Sequence, residues 1–229
     1  MPISIIFEDS DLLVIYKPAG LVVEKDETVK KTDQTLEDIL IAQYKIDLPR
    51  GGIVHRLDRD TSGIMVVAKN EASLVHLQNQ FASHLVEKKY IAMVYGDLLP
   101  KKGTINIALK RDPKNRTRFV PGKGLHARSA ITHYSVVKNI LIAGKVCSLV
   151  EVELETGRTH QIRAHFAGIN FPIIGDSVYF NKGSEMLSEK LNLKRQFLHA
   201  EKLAFTHPKT GKKVSFVSEL PQELQDIIQ

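Results

Sequence analysis

The sequence predicts an α+β protein built on a mixed, mainly antiparallel β-sheet with flanking helices. Two observations carry this expectation. Strand-like runs follow one another directly more often than helical stretches separate them, and most of those runs alternate apolar and polar residues as half-buried strands do. A third observation bounds the size: the 229 residues are 43% hydrophobic and contain no repeat, linker or low-complexity tract, which predicts a single domain over residues 1–229 with an ample core.

The chain opens with ISIIFED (3–9) and LLVIYK (12–17), two strands joined by the turn-forming pair Ser10-Asp11; Pro18-Ala19-Gly20 ends the second. Thr35 followed by Asp38 has the form of a capping box, and Leu36, Ile39, Leu40 and Gln43 give the stripe of a short helix. After IMVVAK (64–69), Asn70 is placed to cap a helix whose apolar positions Leu74, Leu77, Phe81 and Leu85 are all expected in the core. Four alternating runs follow: KYIAMVYGDL (89–98), GTINIAL (103–109), SAITHYSVVKN (129–139) and KVCSLVEVELE (145–155). In the last of these Val146, Ser148, Val150, Val152 and Leu154 share one face, which puts Cys147 with the glutamates on the other and makes it a poor candidate nucleophile. The segment from His160 to Gly168 favours a helix, and strands at 197–206 and 212–218 precede a short C-terminal helix opened by Pro221.

Several function classes fall away on composition. A single cysteine rules out an internal disulfide framework and any zinc site built on cysteine pairs. His160 and His165 lack the further ligand a zinc site would need. The N-terminus has no basic region followed by an apolar stretch, and the longest apolar runs, LLVIY and IMVVA, are far too short to span a bilayer. A soluble, cytoplasmic, monomeric protein without a membrane partner is expected.

The net charge of +6 is unevenly spread. Residues 101–128 hold nine Lys/Arg against one acid, Asp112, and the rest of the chain holds 23 basic and 25 acidic residues. A basic arm on a near-neutral body is the footprint of a polyanionic partner, because each neutralised phosphate releases counterions. Pro113, Asn115, Pro121, Gly122 and Gly124 predict that the middle of this arm is loop and not helix.

Two charged clusters are bracketed by apolar runs: HRLDRDTSG (55–63) and ETGRTHQIRAH (155–165). Either suits a solvated turn carrying weak surface ion pairs. The functional alternative is that an arginine of the second meets an aspartate of the first at strand ends, where sites are commonly built. Arg158, Gln161 and Arg163 fall at the start of the second helix-favouring segment, where backbone N–H groups also attract anions.

HRLDRDTSG resembles the signature of the RluA-type pseudouridine synthases. KPAGLVV (17–23), KKYIAMVYG (88–96), GRTHQIRAH (157–165) and PIIGD (172–176) agree with the same family in the same order, so the resemblance covers nearly the whole chain. It implies the pseudouridine synthase catalytic fold and isomerisation of uridine to pseudouridine in RNA, large-subunit ribosomal RNA being the favoured target and transfer RNA the alternative. It also implies a catalytic aspartate at Asp58, an active-site tyrosine at Tyr90 and a basic partner at Arg163, with no cofactor. Arg163 is expected to hold Asp58 in its charged form, and Arg56 or Arg59 to support an extruded base or a phosphate. Thr61, Ser62 and Gly63 are expected to make a tight turn into the next strand. Many relatives carry an N-terminal RNA-binding domain of the S4 type, whereas this chain is expected to begin at the catalytic domain. That leaves Lys110, Arg111, Lys114, Arg116 and Arg118 in the arm, with Arg158, as the candidate RNA grip. Asn170-Phe171 stands where Gly-His is common in the family, a change expected to have little effect because Asn tolerates the left-handed conformation. A non-catalytic RNA-binding module is the rival function, and the joint presence of Asp58, Tyr90 and Arg163 argues against it.

Overall fold

The computed structural model describes residues 3–25 and 33–229. In chain order its elements are β1 (Ser4–Glu8), β2 (Leu12–Lys17), α1 (Leu36–Ala42), β3 (Ser62–Ala68), α2 (Glu71–Ala82) and β4 (Glu87–Tyr95). Then come β5 (Lys102–Asn106), β6 (Leu109–Arg111), β7 (Phe119–Pro121), β8 (Ile131–Ile142) and β9 (Lys145–Leu154). The chain closes with α3 (Gln161–Gly168), α4 (Lys182–Lys190), β10 (Leu198–Thr206), β11 (Lys213–Val217) and α5 (Gln222–Ile228). The pairs β1–β2, β2–β3, β10–β11, β4–β9, β8–β9, β5–β8 and β6–β7 are antiparallel, in agreement with the predicted class. Contacts group the described residues into two compact units, one from residues 1–87 with 200–219 and the other from 88–199 with 220–229.

In the first unit the strand order is β1-β2-β3-β10, with β11 on the far side of β10. Asp9 shapes the β1–β2 turn, its Oδ1 accepting from the N–H groups of Asp11 and Leu12 at 2.7 and 2.8 Å. From β2 and β3, Leu12, Val14, Ile64, Val66 and Ala68 face Leu74 and Leu77 of α2, and this layer is the core of the unit. The opposite face of the same strands, Leu13, Ile15, Met65 and Val67, is also fully buried, so β2 and β3 are central strands. Gly63 sits at φ 129, where an added Cβ would lie 2.6 Å from the backbone nitrogen of Ala200 on β10. Only glycine permits that approach. Ser62 and Gly63 therefore belong to a strand and not to a turn, which corrects the expectation from their composition.

Both anticipated caps form. Thr35 and Asp38 make a reciprocal capping box, and Asn70 Oδ1 accepts from the Ser73 N–H at 2.9 Å. The first free N–H groups of α1 are met by the carbonyls of Val22 and Val23, at 2.8 and 3.0 Å. The α2 stripe stops short of its predicted end. Ser83 closes the helix and His84 turns left-handed at φ 57, so Leu85 leaves the core and is 70% exposed.

In the second unit the strand order is β4-β9-β8-β5, and β6 pairs with β7 in a separate ribbon. Residues 147–150 of β9 are buried on both faces, so Cys147 is in the core and not beside solvated glutamates. Burial pushes its thiol up to about 11, which leaves it no thiolate to attack with at neutral pH. Val146, expected on the inner face, is 41% exposed. Asn170 takes the left-handed conformation at φ 67 just after α3, as its residue type allows. No helix among the described residues is long and apolar enough to cross a membrane.

Candidate active site

The HRLDRD loop is built in the first unit, and backbone bonds close its turn. Leu57 is buried at 5% exposure, whereas Arg56 and Arg59 are exposed and Asp58 is half-buried. The Thr61 N–H donates to the Asp58 carbonyl at 3.1 Å, closing a four-residue turn in which Asp occupies its favoured first position. At the apex, the Arg59 carbonyl accepts from the Gly20 N–H and from Lys17 Nζ, each at 2.9 Å. Lys17 is fully buried, and its ammonium also donates to the carbonyls of Pro18 and Leu21 at 2.8 and 2.9 Å. Carbonyl acceptors around its donors help make a buried ammonium tolerable. The KPAGLVV and HRLDRDTSG stretches thus meet at one lysine, a role the sequence did not disclose. His55 is structural: its Nε2 accepts from the Val66 N–H at 3.0 Å and its ring stacks on Phe81 with centroids 4.6 Å apart.

The other charged cluster lies in the second unit, between β9 and α3. Gln161, 2% exposed, binds the loop to the start of β8: its Oε1 accepts from the Arg158 N–H and the Thr156 hydroxyl at 3.0 and 2.8 Å, and its Nε2 donates to the Ile131 carbonyl and Thr132 Oγ1, both at 3.0 Å. One turn on, His165 is fully buried, with Nε2 2.8 Å from the Ile107 carbonyl and Nδ1 2.9 Å from Thr132 Oγ1. A carbonyl only accepts, so Nε2 carries the proton and Nδ1 accepts from the Thr132 hydroxyl. Burial holds the His165 pKa below its ordinary value. The unfolded chain therefore takes up this proton first on acidification. The stability His165 contributes is complete above about pH 6.5 and is lost as pH falls through the window beneath it. Thermal melts should show this: between pH 7 and pH 5 the wild type is expected to lose more stability than His165→Asn, and equal losses would exclude the histidine as the cause.

Arg163 is the buried cation of α3, 5% exposed. Its Nε and Nη2 donate to Asp176 Oδ2 and Oδ1 at 2.7 and 2.9 Å, a bidentate pair. Asp176 Oδ1 also accepts from the N–H groups of Val178 and Tyr179 at 2.9 and 3.0 Å, so this carboxylate of the PIIGD stretch fixes both the arginine and the turn that follows it. The Arg163 guanidinium lies 5.2 Å from the centroid of the Tyr179 ring. Tyr179 is 2% exposed; burial raises its phenol to about 12, and its hydroxyl accepts from the Phe119 N–H at 2.7 Å while touching His160 Nδ1 at 3.2 Å. Asp176 and Tyr179 were not singled out from the sequence, where an acid after Gly-rich turn chemistry reads as a surface residue.

Tyr90 lies on β4 opposite Val152 of β9 and is 9% exposed. Lys88 precedes it on the same face, 7% exposed, with burial pushing its ammonium pKa down. Arg158 is half-buried, and its Nε donates to the Ser129 carbonyl at 3.1 Å. The basic arm is more ordered than its composition suggests: β6 and β7 form a short hairpin with Arg111 opposite Phe119 and its guanidinium 5.4 Å from that ring. Lys110 and Arg111 stand on β6, Lys114 and Arg116 on the exposed connecting turn, and Arg118 leads into β7.

A family profile described as RNA pseudouridylate synthase matches residues 11–168, the stretch that carries both charged clusters, β4 and the arm. The match defines the class as RNA-modifying isomerases. The chain belongs to the RNA pseudouridylate synthase family, and its activity is the isomerisation of uridine to pseudouridine in RNA. The ribosomal large subunit pseudouridine synthase D of Zymomonas mobilis is 39% identical over 234 residues, covering 98% of this chain and 71% of that protein. The protein of Bacillus subtilis described as uncharacterized RNA pseudouridine synthase YlyB is 37% identical, covering 100% of this chain and 73% of its own length. Among solved structures, human RNA pseudouridylate synthase domain containing 1 aligns with a TM-score of 0.76 at 26% identity, covering 96% of this chain and 84% of that one.

Proposed function

We propose that this enzyme modifies uridines of large-subunit ribosomal RNA in the cytoplasm, acting as a monomer whose residues 1–229 work as one catalytic domain, and that Asp58, Tyr90 and Arg163 carry the reaction without a cofactor. The observation that supports this most is the turn at residues 58–61, which the Asp58 carbonyl closes by accepting from the Thr61 N–H and whose Arg59 carbonyl accepts from the buried Lys17, while the arginines on either side of Asp58 are exposed. The ribosomal target rests on the names of relatives such as the Zymomonas mobilis protein.

The chemistry asks for such a carboxylate. Isomerisation breaks the bond from uracil N1 to C1′, turns the base, forms the bond from C5 to C1′ and loses the C5 proton. Asp58 serves the first step as a nucleophile at C1′ or as a base at C2′. Because a stacked uridine is beyond the reach of a protein carboxylate, the target nucleotide is extruded from its helix. Arg56 and Arg59 meet the displaced strand, and the arm cations Lys110, Arg111, Lys114, Arg116 and Arg118, with Arg158, supply phosphate contacts. Arg163, positioned by Asp176, favours the ionised form of Asp58. Tyr90 offers a ring face to the uracil and a hydroxyl for removal of the C5 proton.

The deciding experiment incubates the protein with ribosomal RNA lacking pseudouridine, and with transfer RNA in parallel, and maps the product. Conversion confined to transfer RNA would overturn the proposed target, and no conversion of either would overturn the reading as a whole. For Tyr90→Phe, we expect normal RNA binding with turnover slowed about tenfold or more, roughly 1.4 kcal/mol of barrier, whereas Tyr90→Leu should bind less well too. Release of label from C5-tritiated uridine reads the late step, and wild-type release by the Phe variant would confine Tyr90 to packing.

A further inference from the structure

Two guanidinium groups share the Tyr179 ring. Those of Arg163 and Arg118 each lie 5.2 Å from its centroid. Their surroundings differ. Arg163 has the Asp176 carboxylate, whereas Arg118 Nε is buried and makes no hydrogen bond among the described residues, and no carboxylate there forms an ion pair with it. Burying a donor unpaired costs about 1–3 kcal/mol, and more when the group is charged. A ring contact returns about 0.5–2 kcal/mol of this, and the two cations on one ring repel each other. Such a group in a native protein calls for an explanation, and a bound anion is one that also matches its charge.

The side chain is also pre-positioned. The Arg118 carbonyl accepts from the Asp112 N–H and its own N–H donates to the Asn115 carbonyl, both at 2.9 Å. The next N–H, that of Phe119, is bonded to the Tyr179 hydroxyl. Backbone and guanidinium are therefore fastened to the same tyrosine that packs on Arg163. The other arm cations Arg111, Lys114 and Arg116 are exposed and have no such anchorage of their guanidinium or ammonium to this ring.

From this geometry we infer that Arg118 binds one particular phosphate of the RNA, at or next to the uridine being isomerised, and so sets the register of the substrate against Arg163. Substrate binding supplies the anion that the fold withholds, and a guanidinium suits a phosphate because two N–H groups engage two oxygens at once. The exposed arm cations contribute attraction along the strand without choosing a position. This inference rests on the proposed reaction at Arg163 and Asp58.

Phosphate-ethylation interference tests it. A ribosomal RNA transcript is sparsely ethylated at its phosphates and treated with wild type, Arg118→Gln, Arg118→Met, or Lys114→Gln with Arg116→Gln; the positions at which ethylation blocks conversion are then read. Wild type should show strong interference at a phosphate flanking the modified uridine. Both Arg118 variants should lose that one position and bind about 10- to 100-fold more weakly, as expected when the charge-assisted contact to one phosphate is lost. The double variant should keep the position and show a flatter salt dependence instead. Arg118→Met retains the apolar stem over the ring, so a fold defect in the Gln variant would not decide the matter. If wild type converts uridines while both Arg118 variants keep every interference position, this inference falls alone. A wild type that converts none would instead remove the proposed function.

Discussion

Asp58→Asn is expected to make no detectable pseudouridine while binding RNA with nearly unchanged affinity. Asn has the shape of Asp and is equally at home in the first position of the turn, so the bond from the Thr61 N–H to the residue-58 carbonyl should persist. What disappears is the negative charge. Attack at C1′ and proton removal at C2′ both need a carboxylate, and an amide serves neither. We expect a loss of at least about a thousandfold, roughly 4 kcal/mol of barrier. Single-turnover assays with enzyme in excess separate this from a binding defect. Turnover near the wild-type rate would remove Asp58 from the chemistry altogether.

The second large effect concerns a residue with no assigned contact to substrate. Asp176→Ala leaves the Arg163 guanidinium buried without its carboxylate and strips an acceptor from the Val178 and Tyr179 N–H groups. Removing one member of a buried pair costs about 3–5 kcal/mol. Urea denaturation should show a loss of that size, with activity falling as Arg163 loses its orientation. The double variant Arg163→Met with Asp176→Leu separates the two consequences. It should recover much of the stability, since apolar replacements of a buried pair are often neutral, yet remain inactive. A single variant that loses less than about 1 kcal/mol would show that Asp176 does not hold Arg163.

The fold was legible wherever structure is written locally. The antiparallel strands follow from period-2 alternation, and the Thr35 and Asn70 caps from side chains bonding N–H groups three residues away. Elements that depend on distant partners were not. β6 and β7 have three residues each, too few for an alternating pattern, and the arm's charges conceal a hairpin held by Arg111 on Phe119 and Phe119 on Tyr179. In α4 only Ser184 and Leu187 are buried, so no apolar stripe announces it, although Asn181 and Ser184 form a capping box. The site shows the same division. Asp58, Tyr90 and Arg163 were marked by motif, but a buried Lys17 or Asp176 looks in sequence like any surface charge. Their partners lie up to 42 residues away and include backbone carbonyls, which carry no sequence signal.

The Lys17 clamp bears on how such an enzyme can change over evolutionary time. Three of its bonds go to main-chain carbonyls, at Pro18, Leu21 and Arg59, and these are indifferent to which side chain those positions carry. Arg56 and Arg59 are exposed, and neither side chain is among the bonds that close the turn. Replacing them should therefore cost little stability and leave the main-chain bonds of the turn in place. A lineage that duplicates this gene can vary residues 56 and 59 while the turn still folds, so long as Lys17 stays.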